Sequence, residues 1–342
     1  MKRISREHIE QRCDALLAER GLSPEHRRAV INCLLHASLS GIDTHGIRLL
    51  PTYLRLLDSG RANGSALPRI PPTSQATARI DAQGALGPVA GHIACEWLVQ
   101  SARTHGIAAV GIYNSNHFGA AGYYSQLLAK GVGLGIACCN SDALVVPVGG
   151  SVPLFGTNPL SIAADAGDER YFNLDMATSQ TSFSRLLHHK ARGTALDDGW
   201  AVDQHGTPTL EASAAAWLLP LGGYKGQGLG MAVEILAAIL TGADFDHELH
   251  HVFDPVPQPA SHGVGHFFIA IDVSRFLPRE VFANQLVRLM DVVGQQDIRV
   301  DGCTAQSPGD KERAFSVERN AMGIPVLAEW KYFYDLPAAC SP

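Results

Sequence analysis

Residues 110–159 constrain this chain more than any other stretch: VGIYNSNHFGAAGYYSQLLAKGVGLGIACCNSDALVVPVGGSVPLFGTNP. The apolar run 107–112 has the length and β-branching of a buried strand, and it ends in a polar cluster, Asn114-Ser115-Asn116-His117. Gly119 and Gly122 follow, then Tyr123, Leu127 and Leu128 at helical spacing, then a second apolar run over 132–139. Strand, polar turn, helix, strand is the pattern of an α/β unit; taken alone it predicts a parallel sheet with chemistry at the strand end. A histidine between asparagine and glycine is held by hydrogen-bonding groups and leaves backbone room for a ligand. The same residues also suit a capped turn around a structural histidine.

Helices come before this stretch. Ile9, Cys13, Leu16 and Leu17 share one face of a helix over 5–20, with Ser5 as its cap and Gly21 as its stop. Ser23-Pro24-Glu25 opens a second helix, ended by Gly41, and a third covers 49–57. Between the last two lies Gly41-Ile42-Asp43-Thr44-His45-Gly46-Ile47-Arg48, denser in hydrogen-bonding and titratable groups than a cap requires. Residues 60–77 read as a loop, 77–81 as a strand and 86–105 as a buried helix. Downstream, 161–164 and 171–174 alternate like strands, the second running into Asp175-Met176-Ala177-Thr178-Ser179. Residues 190–217 form a long polar excursion near a site or an interface. A strongly apolar helix at 231–240, a strand at 266–272 and a helix at 281–293 complete the order.

Several chemistries find no support. The chain carries 27 Lys and Arg against 33 Asp and Glu, with no basic block, so nucleic acid and anionic membrane surfaces gain nothing as partners. The N-terminus lacks an apolar signal core, and no apolar run reaches the ~18 residues of a membrane span. Seven scattered cysteines without a C-x-x-C pair point to reduced thiols in a cytoplasmic protein. The glycine run at 222–230, before an apolar helix and beside Lys225, is the best phosphate candidate, but its G-x-G-x-G spacing and Pro220 argue against a Rossmann site. Five histidines fall within 245–266, yet HELHH at 247–251 is not H-E-x-x-H; the segment reads as a solvated loop, with no metal site assigned. No G-x-S-x-G occurs. What remains is three separated clusters, Thr44-His45-Arg48, Asn116-His117 and Asp175-Thr178, able to supply an acid/base pair for proton-coupled hydride transfer.

These clusters carry a resemblance. Through GIDTHG, NSNHFGAAGYY, GTNP (156–159), DMATS (175–179), DDGWA, LPLGGYKGQGLG, GHFFIAID and SPGDKE, in that order, the chain resembles the malate/L-lactate dehydrogenase family that lacks a Rossmann fold. The resemblance implies an α/β (α+β) fold with a mainly antiparallel central sheet, and a homodimer that binds NADH or NADPH. It implies a helical N-terminal lobe (1–60), a central NAD(P)-binding and catalytic region (61–270) and a C-terminal segment (271–342) packing back on that lobe. His45 becomes the proton donor/acceptor with Thr44 and Asp175 as its relay; His117 serves the cofactor site or shares the acid/base role. Phe118, Gly119, Ala120, Ala121, Thr157, Asn158, Pro159, Met176, Lys225, Gly226, Pro308 and Gly309 match segments that contact the dinucleotide. The family pattern places a carboxylate-clamping arginine four residues after the DTHG histidine. Here that position is Leu49, and Arg48 stands one residue earlier, rotated by ~100° on a helix. The expected activity is therefore interconversion of a small 2-oxo acid and 2-hydroxy acid, with cyclic imino acid reduction to L-proline or L-pipecolate as the alternative. A metal-dependent hydrolase or lyase built on the histidines at 247–266, and a non-catalytic dinucleotide binder, are the rivals from other classes.

Overall fold

The computed structural model describes residues 2–72, 75–252, 262–296, 302 and 304–327. After a short strand, β1 (Lys2–Ile4), come α1 (Arg6–Ala18) and α2 (Pro24–Leu39). Their caps are those expected: Ser5 Oγ accepts from the His8 N–H at 3.2 Å, and Ser23 Oγ from the His26 N–H at 3.3 Å. Two 3₁₀ turns, Asp43–His45 and Ile47–Leu49, lead into α3 (Leu50–Asp58). The order then runs β2 (Thr77–Asp81), α4 (Gly87–His105), β3 (Ile107–Ser115), α5 (Ala121–Val132), β4 (Gly133–Cys139), β5 (Leu160–Asp165), β6 (Tyr171–Met176) and α6 (Phe183–Arg192). Next are the small ribbon β7 (Ala201–Val202) and β8 (Trp217–Leu218), and α7 (Tyr224–Glu234), which passes into a π-helical turn, Ile235–Ile239. A 3₁₀ turn (Asp246–Glu248), β9 (Val264–Asp272), α8 (Arg279–Gly294), α9 (Asp310–Met322) and β10 (Ile324–Val326) follow.

The central sheet has the order β2-β3-β9-β4-β5-β6, and only β2 and β3 pair in parallel. The α/β pattern of 107–139 is present, but β3 and β4 are not neighbours: β9 lies between them, antiparallel to both. The mainly antiparallel sheet thus replaces the parallel one that local pattern suggests, because a strand from residue 264 onward takes the central place. Helices α4 and α5 cover one face and the π turn the other, while α2 packs on α4 and α5. Buried side chains of Ile80, Val110, Ile112, Tyr124, Leu128 and Phe268 fill the space between sheet and helices.

The first turn of α4 presses against the end of β3. A Cβ on Gly87 would stand 2.6 Å from Phe118 Cα and 2.7 Å from the His117 carbonyl oxygen, so only glycine lets this helix seat the His117 turn. At the other end of the chain, β10 pairs with β1, and α9 packs on α2. Arg319 of α9, buried, binds the Asp43 carboxylate and the Ser38 carbonyl, anchoring the 3₁₀ turn that carries His45.

The excursion after α6 has its own small core around Leu186, Leu196, Trp200 and Leu218. The glycine run departs from expectation. Gly226, Gly228 and Gly230 are inside α7, not in a loop before it, and a Cβ at Gly230 would meet Thr178 Oγ1 at 3.3 Å. At Gly226 and Gly230 the small residue serves close packing, whereas Gly228 faces open space. Among the described residues no helix is long and apolar enough to cross a membrane.

Candidate active site

A cavity of about 490 Å³ brings the three polar clusters of the sequence onto one wall system. The 3₁₀ turns contribute Thr44, His45 and Arg48; the turn between β3 and α5 contributes His117, Gly119, Ala120 and Ala121. Thr157 and Pro159 come from the turn before β5, and Asp175 and Met176 from the end of β6. Residues far apart in sequence meet because each closes a strand or helix pointing at the same end of the sheet.

The two histidines stack with ring centroids 5.8 Å apart and planes at 18°. His117 Nδ1 accepts from the Gly119 N–H at 3.2 Å and is 3.1 Å from the Tyr53 hydroxyl. With Nδ1 an acceptor, the neutral ring carries its proton on Nε2. His45 Nδ1 is 2.9 Å from Thr44 Oγ1, which leaves Nε2 as the nitrogen free to exchange a proton. Burial pushes the His45 pKa down to about 4; the His117 pKa falls well below the usual histidine value through burial and then the neighbouring His45. Both rings are neutral at physiological pH.

Asp175 is the anion of the site. Its pKa is pushed up to about 6, chiefly by burial, with Glu312 raising it and the Gly122 N–H, which Oδ2 accepts at 2.9 Å, lowering it. The carboxylate bonds α5 and neither histidine, so as a relay partner of His45 it acts across the cavity, not through a direct bond. Arg48 is exposed at the rim and Leu49 is buried, yet both line the cavity. The cation is within the site despite its one-residue offset, and the usual clamp position offers only an apolar wall.

Other expected residues lie elsewhere. Phe118 is a core side chain, 2% exposed, stacked on His266, Tyr124 and Phe268, and it is not among the residues that line the cavity. Asn158 is fully buried and holds its own turn. Lys225 is exposed and Gly226 buried in the first turn of α7, away from this cavity's lining. The Pro308 carbonyl accepts from Asn173 N–H, and Gly309 (φ 101°) lines a second cavity of about 770 Å³ that shares Glu312 with the first.

The histidine-rich stretch is not a solvated loop throughout. His266 is fully buried, 2.8 Å from Ser115 Oγ and 3.1 Å from Cys139 Sγ, and His262 is 4% exposed. His251 reaches the cavity 3.4 Å from Asp142. His247 and His251 share no helical face, because the turn stops at Glu248. Among the described residues no group of three or more His, Cys, Asp or Glu converges on a metal position. Tyr53 and Glu312 were missed by pattern reasoning: Tyr53 occupies an ordinary apolar helix position, and Glu312 looks like a solvated charge.

The arrangement fits a reduced nicotinamide dinucleotide. Gly119, Ala120 and Ala121 line the cavity at the start of α5 with no large side chain in the way, and His117 offers an N–H donor beside them, while the Gly122 N–H in that turn is taken by Asp175.

A family model described as malate/L-lactate dehydrogenase matches residues 4–332. Ureidoglycolate dehydrogenase (NAD(+)) of Escherichia coli K12 is 33% identical over 288 residues, which is 84% of this chain and 82% of that protein. The Delta(1)-pyrroline-2-carboxylate/Delta(1)-piperideine-2-carboxylate reductase of Pseudomonas putida is 33% identical over 300 residues, 85% of this chain and 86% of that one. The solved structure of sulfolactate dehydrogenase from Methanocaldococcus jannaschii superposes with a TM-score of 0.89 at 30% identity, covering 97% of this chain and 95% of that chain.

Proposed function

The chain belongs to the malate/L-lactate dehydrogenase family and is an NAD(P)-dependent oxidoreductase of small acids; on that premise we propose that it interconverts a small 2-oxo acid and its 2-hydroxy acid, with His45 as acid/base. The observation that carries this is the convergence of Thr44, His45, Asp175 and Arg48 on one cavity with the His117 turn. When bound, a reduced dinucleotide would supply the hydride, and His117, Gly119, Ala120, Ala121, Thr157, Pro159 and Met176 would hold it, with the His117 Nε2–H available as a donor. On oxidation the neutral His45 ring takes the substrate hydroxyl proton on Nε2, and on reduction the imidazolium gives that proton to the substrate oxygen, returning to the neutral ring. Thr44 orients the ring through Nδ1, and the Asp175 carboxylate stabilises the imidazolium across the cavity. Arg48 draws the substrate carboxylate to the rim.

A second substrate class is favoured by one observation. Leu49 stands where the clamp would be, beside Leu144 and Leu187, which gives the cavity an apolar side suited to a cyclic 2-imino acid. The deciding experiment is loss of reduced-nicotinamide absorbance with NADH and, separately, NADPH, over pyruvate, oxaloacetate and the two cyclic imines. Turnover of oxo acids alone is the expected result; turnover of imines alone transfers the assignment to imino acid reduction, and silence with all four removes both.

The pH profile tests Asp175. Below about 6 its carboxyl is protonated and cannot oppose an imidazolium; above that it is ionised. In the oxidation direction kcat/KM therefore rises as pH increases through about 6 and then levels. Asp175→Asn removes this limb; a limb that persists unchanged in the variant assigns it to another group.

The homodimer is also proposed here. Met231, Ile235 and Ile239 form an apolar stripe, 44%, 52% and 57% exposed, along α7 and the π turn, as an interface between copies would require. A single-chain mass by sedimentation equilibrium removes it.

A further inference from the structure

Two acids of no evident use sit behind the cofactor wall. Glu234, the last residue of α7, is 7% exposed, and Asp246, at the start of its 3₁₀ turn, is fully buried. Glu234 Oε1 accepts from the Asp246 backbone N–H at 3.0 Å. Asp246 Oδ2 accepts from the Gly156 N–H at 2.7 Å and from Asn158 Nδ2 at 2.6 Å. Asn158, held at φ 36°, also donates to the Gly230 carbonyl at 3.2 Å and accepts from the Ser141 N–H at 3.1 Å. Its chain neighbours Thr157 and Pro159, with Ser141, are cavity wall. The Asp246 carboxylate thus holds Gly156 and Asn158, and the Asn158 amide ties that turn to α7 and to the segment after β4.

The remaining oxygens expose the difficulty. Glu234 Oε2 and Asp246 Oδ1 are both buried without a hydrogen-bond partner. Two adjacent carboxylates would leave two desolvated acceptors facing each other, which is costly. A single proton removes both faults at once, because it turns one acid into a donor toward the other.

We propose that Glu234 and Asp246 share one proton, and that the resulting acid–carboxylate pair is the positioning device for the Thr157–Pro159 wall of the cofactor site. Burial, then the hydrogen bond and charge of Asp246, raise the Glu234 pKa to about 9. Cys138 packs against the same helix, and Cys139 and Asp142 stand near Asp246; burial holds both thiols protonated. Loss of the shared proton at alkaline pH puts a second charge beside Asp246, whose repulsion loosens its grip on Gly156 and Asn158. A π turn begins at the next residue, Ile235, with an i to i+5 bond from the Leu240 N–H to the Ile235 carbonyl at 2.9 Å.

The role rests on Thr157–Pro159 being cofactor wall, so the test separates the two. Infrared difference spectra of the protein alone should show a carboxylic-acid C=O band at neutral pH that is absent from Glu234→Gln. In the wild type the dissociation constant of NAD(P)H, read by fluorescence, should rise by about tenfold per pH unit above about 9, with KM following and kcat nearly constant. Glu234→Gln, which cannot ionise, should give a flat profile, and Asp246→Asn a weakened one at every pH. A missing band in the wild type overturns the shared proton. A present band with identical alkaline profiles in wild type and Glu234→Gln overturns the positioning role. Failure of the wild type to bind NAD(P)H at any pH overturns the assignment of the wall, and the role with it, while leaving the band intact.

Discussion

His45→Ala lowers turnover by about 10²–10⁴-fold in both directions while NAD(P)H affinity stays nearly unchanged. The split follows from where the two rings sit. His45 belongs to the helical junction and is tied to Thr44, whereas His117 belongs to the turn that opens α5 and is fixed by Gly119 and Tyr53. If His45 is the proton carrier, as proposed, its removal deletes that function and leaves the α5 turn intact. Removing His117 deletes an N–H donor within the cofactor turn, so His117→Ala raises the dinucleotide dissociation constant as well as slowing turnover. Steady-state kinetics in both directions, with fluorescence titration of the cofactor, make the comparison. If His45→Ala turns over at a near-normal rate and His117→Ala does not, the acid/base role passes to His117.

Phe118→Ala destabilises the fold by about 3–5 kcal/mol. The ring is 2% exposed and lies nearly parallel to His266, at 4.8 Å and 5°, with Tyr124 at 5.0 Å and Phe268 at 6.3 Å. Its removal leaves a cavity among aromatic neighbours that are themselves fixed: the Tyr124 hydroxyl donates to the Phe118 carbonyl, and His266 bridges Ser115 and Cys139. Little collapse is open to such a site, so both transfer and cavity costs are felt. Because Phe118 joins His117 to Gly119, activity falls with stability. Denaturant unfolding checks the figure, and Phe118→Leu should recover much of it. A loss under about 1 kcal/mol would mean the stack is not what holds the turn.

Local chemistry made the helices and the three polar clusters legible. Ser5 and Ser23 cap as their types dictate, and Thr44-His45, His117 and Asp175 stand out because polar residues interrupt apolar runs at element ends. Pairing was not legible in the same way. That β9 enters between β3 and β4 is a property of residues more than a hundred positions apart, and no period in either strand encodes it. The glycine run misled for a physical reason: glycine marks loops by its backbone freedom, but Gly226, Gly228 and Gly230 are in α7, where Gly226 and Gly230 are pressed against Leu221 and Thr178. Glu234 and Asp246 left no trace at all. An acid at the end of an apolar helix reads as a solvated charge until the fold buries it against a second one.

The pairing of β1 with β10 has a consequence for the order in which the molecule matures. Lys2–Ile4 waits for Ile324–Val326, and Asp43 waits for Arg319, so the junction carrying His45 gains these anchors only after residue 326 has left the ribosome. The central sheet closes sooner, once β9 (Val264–Asp272) has emerged to take its place between β3 and β4. On the proposed assignment of His45, a nascent chain therefore completes its sheet before its proton carrier is held in place.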